Sequence, residues 1–179
     1  ELLCELEQAK HPFDVWIGQG DPMRAGTPFG LLADALRRGL GLSHADASVR
    51  RAELDLTVGR HLPEADRRRV AEFLGELSGL PFPESESVKL AAARRDPLLM
   101  RDQVKRAFVE FLSARCRERP LVLVLEDLQW GDLPSVELVD AALRALSEAP
   151  LFVLGIARTE IHDVFPGLWT DRDLQEIRV

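Results

Sequence analysis

The 179-residue sequence predicts a three-layer α/β fold, a parallel sheet between helices, with a helical insertion at about residues 43–95. Two observations predict it. Leu121 to Leu125 and Leu151 to Ala157 are continuous apolar runs, as expected of strands buried on both faces rather than on one. Between them, Asp132 and Pro134 open a stretch in which Val136, Val139, Leu143 and Leu146 recur at helical spacing, and Ala149-Pro150 closes it. Strand, helix and strand in that order make a βαβ unit, with parallel strands and a right-handed crossover.

The other elements follow the same logic. Residues 1–10 read as the last turns of a helix with Leu2, Leu3 and Leu6 on one side. Phe13 to Ile17 is a short β-prone run, and Gly18-Gln19-Gly20-Asp21-Pro22 reads as the loop that ends it. Thr27 can cap the next helix, Pro28 suits its first turn, and Phe29, Leu32, Ala33, Leu36 and Leu40 form its apolar stripe. Residues 43–60 read as a weaker helix broken by Gly59. Pro63 opens a helix striped by Val70, Phe73, Leu74 and Leu77, with Arg67-Arg68-Arg69 as a solvated face beside it. Gly79 to Ser87 is a loop on its Pro and Ser content. Asp96-Pro97 starts the longest helix, which runs to about Arg117 with Val104, Ala107, Phe108, Phe111 and Leu112 inward. Leu174 to Val179 alternates like one more strand.

Composition excludes several classes. Apolar residues are 46% and charged residues 30%, the balance of a soluble globular domain. No apolar run approaches the roughly 20 residues of a membrane span, and no signal peptide is present. Cys4 and Cys116 lie far apart and read as two thiols of a reducing cytoplasm. A net charge of −7 argues against nucleic-acid binding through this chain. His11, His44, His61 and His162 lack metal-ligand spacing with one another or with a cysteine, so no zinc site is expected.

The chemistry concentrates in "RPLVLVLEDLQWGD", Arg119 to Asp132. Acids at the carboxyl end of a parallel strand sit on the rim where open α/β sheets bind ligands. Glu126 and Asp127 can divide two tasks there. One holds Mg²⁺, directly or through its water, and the other polarises an attacking water. The plainer alternative is that they only begin a polar loop. Asp132 reads as a helix N-cap, and Trp130 as packing over the sheet edge. The second strand leads into Arg158, a planar cation that can bind phosphate oxygens in bidentate fashion, or else pair with a surface carboxylate.

An apolar strand followed by Glu-Asp-Leu-Gln-Trp-Gly-Asp resembles the Walker B segment of AAA-like signal-transduction ATPases of the STAND type. The strand ending in Arg158 resembles their sensor strand, and "GQGDPMRAGTPFGLLADALRRGL" resembles the strand, loop and helix after their phosphate-loop helix. "EFLGELSGLPFP", "ARRDPLLMRDQVKRAFVEFL" and "IHDVFPGLWTDRDLQEIRV" resemble a subgroup attached to bacterial serine/threonine protein kinases, often with helical repeats after it. The resemblance implies a P-loop NTPase-like sheet, ATP and Mg²⁺ as ligands, and kinase and helical-repeat domains as partners in the same polypeptide. It places Glu126 on the Mg²⁺ side, Asp127 as catalytic base and Arg158 as sensor of the γ-phosphate. Many such motifs carry Asp first and Glu second; the order here is reversed.

No Gly-x-x-x-x-Gly-Lys-Ser/Thr occurs in the sequence. With Glu1 opening in mid-pattern, the chain reads as a segment of a longer protein, a partial ATPase domain over 1–179 whose Walker B to sensor core is 119–160 and whose phosphate-loop strand is missing. A strand edge left bare by that gap predicts self-association. Three functions follow in order of preference: a nucleotide switch in bacterial signalling, with slow hydrolysis in the intact parent; a non-catalytic scaffold that binds partners through Phe73, Leu74 and Leu77; and the ATPase part of a transcription regulator.

Overall fold

The computed structural model describes residues 12–24 and 27–178; the helix expected over 1–10, and Cys4 with it, lie outside them. The described residues form an α/β fold built on a parallel sheet ordered β1-β2-β3. The strands are β1 (Asp14–Gln19), β2 (Leu121–Glu126) and β3 (Leu151–Gly155). Asp14 lies opposite Leu121 and Gln19 opposite Glu126, while Leu121 lies opposite Leu151 and Leu125 opposite Gly155. Five helices separate β1 from β2: α1 (Gly30–Gly39), α2 (Ala47–His61), α3 (Glu64–Ser78), α4 (Val88–Arg95) and α5 (Pro97–Glu118). Helix α6 (Leu133–Ala145) crosses from β2 to β3, and the short α7 (Ile161–Val164) follows. Among the described residues no helix is long and apolar enough to cross a membrane.

The register assigns the sheet faces. Trp16, Leu121, Leu123 and Leu125 share one face and join the core formed by α1, α3, α5 and α6. Trp16 stacks on Phe111 of α5 with ring centroids 6.2 Å apart, and His61 meets the same ring edge-on. Gly18 lies inside β1 rather than in a loop. A Cβ built there would stand 2.6 Å from the Leu31 carbonyl oxygen, so the missing side chain lets α1 press against the strand. β1 therefore runs on through Gln19, two residues past the β-prone run.

Several local expectations are corrected. Thr27 does not cap α1. Its N-cap is Phe29 with φ 62°, and the capping carboxylate arrives from Asp132. Gly59 does not break α2, which continues to His61, because a single glycine inside a helix is only a modest penalty once Leu54 and Val58 are buried. Arg67, Arg68 and Arg69 do not merely face solvent: Arg67 pairs with Asp55, Arg68 with Glu72 and Glu86, and Arg69 with Asp66 and Glu110, stitching α3 to α2 and α5. Phe73, Leu74 and Leu77 are fully buried, so they offer no docking surface. Residues 174–178 form no strand, and Ile177 is 83% exposed. An alternating pattern becomes a strand only where a neighbouring edge accepts its ladder, and these residues are paired with none.

Among the described residues, β3 pairs on one side only. Phe152 and Ile156 stand exposed along it. Unpaired, apolar strand edges recruit further strands. The 179-residue chain is expected to self-associate, with light scattering reporting a mass above one chain that rises with concentration. A monodisperse monomer at high concentration would contradict this.

Candidate functional site

The site forms where all three parallel strands end. At the end of β2 the backbone turns sharply: Asp127 adopts a left-handed conformation, φ 50° and ψ 43°, rarely taken by residues other than glycine. A strained non-glycine residue at a strand rim marks a position fixed by its surroundings. Here the Trp130 N–H donates to the Asp127 carbonyl at 2.8 Å, closing the 3-10 turn Leu128–Trp130. Gly20 makes room for that carbonyl. A Cβ on Gly20 would lie 2.2 Å from the Asp127 oxygen, so Gly20→Ala is expected to displace the acid and cost about 2–3 kcal/mol of stability, read by urea unfolding. An unchanged unfolding midpoint would contradict this packing.

A cavity of about 490 Å³ opens beside the rim, lined by Gln19, Asp21, Asp34, Asp127, Trp130 and Arg158 among others. That volume is within the range of small-molecule sites, roughly 300–1,000 Å³. Among the described residues four aspartates line it, and three are engaged. Asp21 accepts from the Met23 N–H at 2.8 Å. Asp34 pairs with Arg38 at 3.1 Å. Asp132 is 5% exposed and accepts from four donors: Phe29 N at 2.7 Å, Leu31 N at 3.3 Å, Ser135 N at 2.9 Å and Ser135 Oγ at 2.8 Å. It therefore caps α6 as expected, and also caps α1 from across the sheet end.

Asp127 is different. Its carboxylate receives only side-chain amides, from Gln19 at 3.5 Å and Gln129 at 3.3 Å. Among the described residues no cation neutralises it, so its lone pairs face the cavity with capacity to spare. Arg158 lines the same cavity, is exposed, and has no carboxylate partner among the described residues. The structure thus brings Asp127 and Arg158 to one wall. Glu126 ends β2 opposite Gln19, half-buried, and is not among the residues lining the cavity. Trp130 is 41% exposed and lines the cavity beside the end of β1, next to Gly20.

Sequence reasoning missed Gln19, Gly20 and Gln129. Gln19 was legible in principle, because extending β1 in register with β2 sets it opposite Glu126. Gln129 carried no periodic signal. Among the described residues no group of three or more His, Cys, Asp or Glu side chains is placed to hold a metal ion.

A parallel α/β sheet with a polar cavity at its carboxyl rim is the arrangement of an open α/β fold, consistent with a P-loop NTPase-like one. The chain belongs to the AAA ATPase domain family, whose pattern it matches over residues 3–154. It is also 32% identical over 66 residues to an uncharacterized protein of Rhizobium meliloti (strain 1021), an alignment that spans 37% of the chain and 6% of that relative. No solved structure matches the chain significantly.

Proposed function

We propose that this chain is the nucleotide-switch core of a large bacterial signalling protein of the STAND type, in the subgroup joined to serine/threonine kinase and helical-repeat domains. The observation that carries the nucleotide reading is Asp127, held in a strained turn and lining one cavity with Arg158, each without an oppositely charged partner among the described residues. The match to the AAA ATPase domain family, which generally binds ATP and Mg²⁺, supports it. The Rhizobium relative supports the multidomain setting, since the aligned residues are a small fraction of its length.

The residues fit ATP and Mg²⁺. Partly hydrated Mg²⁺ needs only one or two carboxylates beside phosphate oxygens, so a dedicated cluster of ligands is not required. When bound, the metal neutralises charge on the terminal phosphates. Asp127 orients and polarises a water on the cavity side, with the Gln19 and Gln129 amides fixing its carboxylate. Glu126, which does not line the cavity, would hold the metal through one of its waters. Arg158 presents its guanidinium to the γ-phosphate oxygens. Hydrolysis is slow and resets the switch, in a cytoplasmic protein. The scaffold reading loses the surface it relied on, because Phe73, Leu74 and Leu77 are buried. A transcription-regulator reading needs a DNA-binding domain elsewhere in the polypeptide.

The test is calorimetric titration of the full-length polypeptide with ATP and Mg²⁺. Saturable, Mg²⁺-dependent binding is expected. Its absence would overturn the nucleotide reading.

A further inference from the structure

Gln129 is 6% exposed, and both ends of its amide are used. Its Nε2 donates to Asp127 Oδ1 at 3.3 Å, and its Oε1 accepts the Arg158 backbone N–H at 3.1 Å. The orientation of the amide follows from its partners: the Arg158 N–H can only donate, so the oxygen must face it and the nitrogen must face the carboxylate. The backbone explains why a side chain stands here. The β2 to β3 ladder continues beyond the strands, with Ile156 N donating to Leu125 O at 2.8 Å and Leu128 N donating to Ile156 O at 3.0 Å. At the next step β2 has already turned away at Asp127. The Gln129 side chain supplies the missing acceptor and extends the ladder by one bond to Arg158.

We propose that Gln129 is a positioning residue that couples the Asp127 carboxylate to the Arg158 segment, so that what occupies one end of the cavity wall sets the place of the other. The proposal rests on the nucleotide reading above. A charge arriving at Asp127 draws on the Gln129 amide, and through Oε1 that pull reaches the Arg158 backbone within one side chain. In a switch, this carries the state of the acid to the strand rim that senses the phosphate. Both bonds are part-buried and come from one amide, so replacing that side chain removes the two together.

The experiment compares three variants of the full-length polypeptide. Gln129→Met keeps the volume and removes both bonds. Gln129→His retains one donor and one acceptor on opposite ring nitrogens. Gln129→Glu keeps the acceptor for Arg158 and removes the donor to Asp127. Three quantities are read: turnover of ATP with Mg²⁺, affinity for a non-hydrolysable ATP analogue, and hydrogen exchange of the peptide containing the Arg158 amide. Gln129→Met is expected to lower turnover about 100-fold with affinity within about threefold, and to speed Arg158 amide exchange about tenfold. Gln129→His is expected to restore both to within about threefold of wild type. Gln129→Glu is expected to keep the amide protected yet turn over as poorly as Gln129→Met.

Wild-type turnover in Gln129→Met would overturn the coupling. So would Gln129→His failing like Gln129→Met at equal thermal stability, since a restored donor and acceptor would then restore nothing. If the wild type binds no nucleotide, the nucleotide reading fails separately. The coupling is then decided by exchange, and an unchanged Arg158 amide in Gln129→Met overturns it.

Discussion

Asp132→Ala is expected to lower folding stability by about 3–4 kcal/mol, the largest single-residue effect outside the apolar core. One carboxylate serves two helix starts. It accepts from Phe29 N and Leu31 N at the head of α1, and from Ser135 N and Ser135 Oγ at the head of α6. Each lost N-cap costs about 1 kcal/mol, and each buried N–H left without a partner costs about 1–3 kcal/mol more. The Ser135 hydroxyl, which also accepts from Leu32 N at 3.4 Å, loses its own acceptor and with it a fixed orientation. The left-handed Phe29 is the most exposed point, because its φ of 62° is held in place by the N–H bond to Asp132. Urea unfolding followed by far-ultraviolet circular dichroism measures the change. A loss below about 1 kcal/mol would show that water replaces the carboxylate at both helix ends. Because Asp132 and Gly30 also line the cavity, the variant is expected to loosen the site as well as the fold.

The second large effect concerns discrimination between nucleotides. Arg158→Ala in the full-length polypeptide is expected to weaken ATP binding by about 10- to 100-fold while leaving ADP within about threefold. On the proposed reading the guanidinium meets only the terminal phosphate, and a charge-assisted bidentate contact is among the stronger polar interactions a side chain can make. Arg158 can give all of that interaction to a ligand, since among the described residues no carboxylate competes for it. Arg158→Lys is expected to recover only part of the loss, because an ammonium lacks the planar fork. Equal weakening of ATP and ADP would place Arg158 elsewhere on the nucleotide.

Much of the sheet was legible because buried parallel strands write themselves as unbroken apolar runs. Leu121 to Leu125 needed no tertiary knowledge. Leu151 to Ala157, read as a second buried strand, is a strand only over Leu151–Gly155 and is buried at none of those residues, because one of its edges carries no neighbour among the described residues. Asp96 and Asp132 announced helix starts through side chains that cap their own helices. What escaped was set by contacts distant in sequence. Asp132 caps Phe29 from 103 residues away, and the local pattern at Thr27-Pro28 offered a plausible substitute that the chain does not use. Gly18 and Gly20 looked like loop glycines. They are instead the places where α1 and the Asp127 turn come too close for a side chain. The stripe on α3 was found, but its burial depends on α5 covering it, which periodicity does not state. For the same reason the alternation at residues 174–178 promised a strand that has no pairing edge.

The candidate site divided in the same way. Asp127 and Arg158 were found from their places at the ends of adjacent strands, which is topology read from sequence. Glu126 was found on the same grounds, yet a strand's alternation sends neighbouring residues to opposite sides, and the turn at Asp127 gives the cavity to the second acid. Gln19 and Gln129 were not found, because an amide that orients a carboxylate has no pattern of its own.

The central claim is that Asp127 acts on a phosphate-directed water in this cavity. Single-turnover hydrolysis of ATP with Mg²⁺ by the full-length polypeptide, wild type against Asp127→Asn, tests it most directly. A fall of about 10²- to 10³-fold in the hydrolytic step is expected, with nucleotide affinity kept within about threefold, since the amide preserves the shape of the side chain and removes its charge. Hydrolysis at the wild-type rate in Asp127→Asn would contradict the assignment and leave the strained acid without a catalytic role.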